Sequence, residues 1–232
     1  RMLKFTKSIS LVLKLKNPSL LWMPLLVILL SLPLKAIDAH EVPNDVLIQS
    51  YFKAETDAIN LLIRVPLEAM RDMNFPVKGP GYLALDKMPE LSRDAAEIWL
   101  GNFVDVYVDE QKIMDWSIEK TRISLPSDRS FASYQQAFNS FSSMPLSETT
   151  LLHHDQALLD VWITYPLKTD NTNFSIDLNF GGLGLNTAII LNFITSEGAN
   201  RLFEFNGSSG LVELNPSWYQ SFLRFIVSGV EH

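Results

Sequence analysis

Ala157-Leu158-Leu159-Asp160-Val161-Trp162-Ile163-Thr164-Tyr165 opens the part of the chain with the strongest β pattern. Four further strand-like segments come after it: Asn173 to Phe180, Thr187 to Ile194, Arg201 to Phe205 and Gly210 to Leu214. Between them stand Asp170-Asn171, Gly181-Gly182, Ser196-Glu197-Gly198 and Asn206-Gly207, residues that favour turns. Short strands punctuated at regular intervals predict a β-sandwich. Asn206-Gly207-Ser208-Ser209-Gly210 reads as its clearest hairpin tip.

Upstream, Val46 to Phe52 and Ile59 to Val65 flank Glu55-Thr56-Asp57-Ala58 and predict a hairpin that Pro66 ends. Pro66, Pro76, Pro80 and Pro89 with Gly79 and Gly81 make residues 66–94 a long excursion holding at most one short helix. Ser92 to Leu100 reads as a capped helix stopping at Gly101. Phe103 to Val108 alternates as a strand, turns at Asp109-Glu110-Gln111-Lys112, and returns through Ile113 to Trp116. Residues 117–150 are less legible. Ser133 to Phe141 suits a short helix presenting Tyr134, Ala137, Phe138 and Phe141 on one face, and the Ser- and Thr-rich run from Ser140 to Thr150 has loop composition.

At the front, Arg1, Lys4, Lys7, Lys14 and Lys16 precede the uncharged run Leu20 to Leu34, and Ala36-Ile37-Asp38-Ala39 supplies small residues for cleavage. This is the order the secretion machinery reads. Residues 1–39 are therefore expected to be a signal peptide or an uncleaved signal anchor, and either predicts export of the downstream domain. Six of the 19 Lys+Arg and one of the 26 Asp+Glu lie in that stretch, so 13 and 25 remain, a net charge of −12. Such a surface repels phosphate backbones, which argues against a nucleic-acid partner. With no cysteine, the domain rests on its apolar core alone, and thiolate chemistry is excluded.

At the other end, Pro216 separates the strands from Ser217 to His232, where Trp218, Phe222, Phe225 and Ile226 share one face of a helix. It reads either as the approach to a membrane span, with Trp218-Tyr219 at the headgroup level, or as a terminal helix packed on the sandwich.

Taken in order, the start at Ala39-His40-Glu41, the β-rich middle and the exit Phe222-Leu223-Arg224-Phe225-Ile226-Val227-Ser228-Gly229-Val230-Glu231-His232 resemble the extracytoplasmic front half of HupE/UreJ-like membrane proteins. In that family a pattern F-x-x-G-x-x-H leads into the first span of a multi-helix membrane domain. Here it stands as Phe225 to His232 with one more residue between Phe and Gly. The resemblance implies a C-terminal membrane domain beyond this chain and an association with nickel or cobalt handling.

The chain has four histidines. Cleavage after Ala39 would give His40 both a free amine and an imidazole, and His153, His154 and Asp155 are the candidates for further ligands of a transition metal ion. Against this, adjacent residues of a strand point to opposite faces, and the pair also suits a solvated loop. Glu231 and His232 are candidates for membrane entry, since ionisable groups in a span are costly and mark function; the alternative is an interfacial pair that stays in water. No nucleophile stands with a base, and Gly181-Gly182-Leu183-Gly184 lacks the following helix and Lys-Ser/Thr of a phosphate loop.

The expected protein is thus mostly β: an Ig-like β-sandwich with short helices over residues 40–215, between an apolar signal or anchor helix (1–39) and the start of a first membrane helix (216–232). Its expected place is the cell membrane, with the main domain on the periplasmic or extracellular side. Its expected partners are the lipid bilayer, the C-terminal membrane domain and a metal ion of the Ni/Co class, without catalysis. The alternative is a structural or protein-interaction module with no metal role.

Overall fold

A computed structural model describes residues 45–70, 73–168, 173–184 and 186–215. The expected signal or anchor segment, His40 and the terminal segment with Glu231 and His232 lie outside the described residues. Among the described residues no helix is long and apolar enough to cross a membrane.

The architecture is mostly β, with two principal sheets and a few short helices, and is consistent with a β-sandwich. Strands β1 (Asp45–Ala54) and β2 (Ala58–Pro66) form the expected hairpin, closed by a 2.8 Å bond from the Glu55 amide to the Ala58 carbonyl. Together with β7 (Ser117–Ser124), β8 (Leu158–Pro166), β10 (Asn186–Ile194) and β11 (Asn200–Asn206) they make a six-stranded sheet ordered β11-β10-β1-β2-β8-β7. Within it β1 and β10 run parallel, so β1 is sealed by a strand whose paired residues lie 141 positions later. A four-stranded sheet, β12-β9-β5-β6, is built from β5 (Val104–Val108), β6 (Gln111–Lys112), β9 (Phe174–Asn179) and β12 (Ser208–Glu213). A separate small hairpin joins β3 (Val77–Lys78) and β4 (Tyr82–Leu83).

Alternation places Ile59, Leu61, Ile63 and Val65 of β2 in the main core with Val104 and Val106 of β5 and Ile176 and Leu178 of β9. Phe52 joins the sheets directly, its ring 5.6 Å from Phe174 and 5.7 Å from Phe193. The opposite face of the large sheet is covered too. Tyr51 and Leu62 are buried there under Phe131, Tyr134, Ala137 and Phe141. Three of those four belong to helix α2 (Tyr134–Ser140) or its C-cap, and the helix is N-capped by Ser133, whose hydroxyl accepts from the Gln136 amide at 3.4 Å. The face expected from sequence is the face that docks. Burial on both sides explains why β2 reads as a nearly unbroken apolar run.

Three local expectations are corrected. The helix expected from Ser92 begins four residues earlier: α1 spans Met88–Ala96 and continues as a wider turn over Glu97–Gly101. Pro89 fits its first turn, where a missing N–H costs nothing, and the Ser92 hydroxyl donates back to the Met88 carbonyl at 2.6 Å instead of capping. Asn206-Gly207 is not a hairpin tip. Strand β11 pairs with β10 and β12 with β9, so the chain turns a corner between the sheets at Gly207, which has a φ of +73°. The return after Asp109-Glu110 is only Gln111–Lys112, not a strand through Trp116.

Candidate functional site

The register of three neighbouring strands decides where charge enters the fold. Arg64 of β2 stands opposite Asp160 of β8, and Asp160 stands opposite Arg122 of β7 on its other side. Arg64 donates from Nε to Asp160 Oδ1 at 2.6 Å and from Nη2 to Oδ2 at 2.8 Å. Arg122 Nη1 and the Ser124 hydroxyl reach Oδ2 at 3.2 and 2.8 Å. A second carboxylate closes the group from the loop before α2: Asp128 accepts from Arg64 Nη2 at 3.1 Å and from Arg122 Nη2 at 2.6 Å, and also from Ser130. The Arg64 guanidinium lies 4.3 Å from the Phe131 ring centroid.

Two guanidiniums and two carboxylates thus balance. Burial raises Asp160, since its side chain is 0% exposed, while Arg64, Ser124 and Arg122 oppose that rise. Four donors on its two oxygens require the ionised form. For Asp128, burial is outweighed by the bonds from Ser130, Arg122 and Arg64, which hold its carboxyl well below the usual carboxylate range. Both carboxylates are taken up by the guanidiniums and by Ser124 and Ser130, so the cluster offers no free nucleophile or base; it fastens the loop carrying Phe131 and α2 onto the sheet. No sequence motif announces it. Its only mark is a charge inside each of two apolar strands, Arg64 and Asp160, where a half-buried sheet face would not tolerate an unpaired ion.

The histidines selected from sequence lie elsewhere. His153 forms an isolated bridge with Tyr82 and begins a single 3-10 turn over His154–Gln156. Its Nδ1 lies 2.6 Å from Asp155 Oδ1 and its Nε2 3.1 Å from the Pro80 carbonyl, so both nitrogens face acceptors. Gly81, at φ +94°, allows this approach: a Cβ there would collide with the His153 ring. The expectation that adjacent histidines diverge does not hold in this bent segment, where the His153 and His154 rings stand 5.0 Å apart. Glu68 is close enough to feel them: burial pushes its carboxyl up, Asp155 adds to the rise and His154 opposes it.

The structure therefore brings His153, His154 and Asp155 together on the surface but turns Asp155 onto His153. Among the described residues no group of three His, Cys, Asp or Glu side chains is arranged to hold a metal ion. The Gly181-Gly182 segment is a turn, closed by a bond from the Leu183 amide to the Phe180 carbonyl at 3.0 Å. No protein-family profile matches the chain, and no curated protein matches it.

Proposed function

We propose that residues 40–215 form an Ig-like extracytoplasmic β-sandwich of a HupE/UreJ-like multi-span membrane protein. The domain acts as a binding and presenting module for the membrane half, with no reaction of its own. The observation that carries this reading is the two-sheet core between residues 45 and 215, lying between the two segments whose motifs resemble that family. The family link itself rests on Ala39-His40-Glu41 and the Phe225 to His232 pattern.

A metal ion of the Ni/Co class is the second reading, as cargo passed to the membrane half. The neighbouring His153 and His154 rings favour it. With both His153 nitrogens engaged, the described residues offer His154 as the ready imidazole, with His40 and Asp155 as the further candidate ligands. Calorimetric titration of the 232-residue chain with Ni²⁺ and Co²⁺ separates the two. The first reading, a module that presents something other than a metal ion, expects the wild type and the His40→Ala, His153→Ala, His154→Ala triple variant to behave alike. A tenfold or greater loss of affinity in the variant would replace that reading with metal presentation.

A further inference from the structure

A cavity of about 310 Å³ lies between α1, strand β7 and the loop after α2. Met88 and Leu85 line it from the α1 side, Ile123 from β7, and Phe141 and Leu146 from the loop. This is the size and character of a small-ligand pocket: an apolar lining with few polar groups. Ser92 and Thr121 also line it, but their hydroxyls bond each other at 3.1 Å, and Ser92 is further tied to the Met88 carbonyl. That leaves Arg122 as the charged group of the lining. A guanidinium carries five N–H donors. Among the described residues Arg122 commits one to Asp160 and one to Asp128, so donors are left over for a ligand.

The charge count selects the ligand. Arg64 and Arg122 are already balanced by Asp128 and Asp160. An anionic head would bring a fifth charge, unmatched within that cluster, beside two carboxylates, whereas an uncharged carbonyl accepts a hydrogen bond without disturbing the balance. We infer that this cavity binds an uncharged amphiphile, a short acyl chain ending in an amide or ester carbonyl. The chain lies among Met88, Ile123, Phe141 and Leu146, and the carbonyl oxygen accepts from Arg122. The site shares no residue with the histidine cluster and does not depend on the family reading.

Methyl NMR of the methionine-labelled 232-residue chain in lipid nanodiscs tests this, with Met88 as the reporter in the cavity and Met70, buried elsewhere, as the control. Titration with octanamide should shift Met88 saturably and leave Met70 unmoved. Octanoate and butanamide should each bind at least tenfold more weakly, the first for its charge and the second for its short chain. Ser143→Trp, at the exposed rim, should abolish the shift. The inference is overturned if Met88 does not respond saturably, if octanoate matches octanamide, or if the folded Ser143→Trp protein binds as the wild type does. The ligand comparison on the wild type decides the matter even if that variant does not fold.

Discussion

Asp160 is the residue on which the outer face of the large sheet depends. Its carboxylate accepts from two strands on either side of β8, so removing its charge strands Arg64 and weakens Arg122 together. Asp160→Asn is expected to cost about 3–5 kcal/mol in urea denaturation, the cost of breaking a buried pair. Asp128 contributes to the acid behaviour. Its carboxyl is held low in the folded state and titrates at about 4 in the unfolded chain, so the unfolded chain binds the extra proton first. Its stabilisation is therefore present above about pH 4 and is lost as pH falls toward the folded value. Stability measured across this range should decline less steeply for Asp128→Asn than for the wild type. Tyr165 gives the opposite kind of test. Its buried hydroxyl has no hydrogen-bond partner among the described residues, and burial, with Asp105 adding, pushes its ionisation up. Tyr165→Phe removes an unpaired polar group and should raise stability by up to about 1 kcal/mol by the same assay.

Helix α2 and the loop before it form a cover with a small apolar cluster of their own, separate from the main core. A unit outside the main core should open locally before the whole domain unfolds. Phe141→Ala is expected to cost about 3–5 kcal/mol, and native-state hydrogen exchange should show α2 amides losing more protection than those of β2. This cover was legible in sequence because Tyr134, Ala137 and Phe141 follow helical spacing. The five downstream strands were legible through their alternation and turn residues. Strand β7 was not, for a physical reason: Ile118 and Ile123 are five apart, which in a regular strand sends them to opposite faces. A bulge between Ile118 and Lys120 absorbs one residue and lets both be buried. The Arg64–Asp160–Arg122 row was hidden for a related reason, since it exists only once the three strands are in register. Periodicity within one segment carries no information about register between segments.

For the whole molecule, two sheets around a common core with a helix over one outer face make a self-contained scaffold for residues 45–215. No cysteine contributes to it. The placement of that scaffold outside the cytoplasm is the central claim of the proposed function, and the cysteine-free sequence makes it directly measurable. Met144 is 90% exposed in the loop after α2, so Met144→Cys introduces a single accessible thiol. Intact spheroplasts of a bacterium expressing this variant should be labelled by a membrane-impermeant maleimide to the same extent as lysed ones. Labelling only after lysis would place the domain in the cytoplasm and contradict the account.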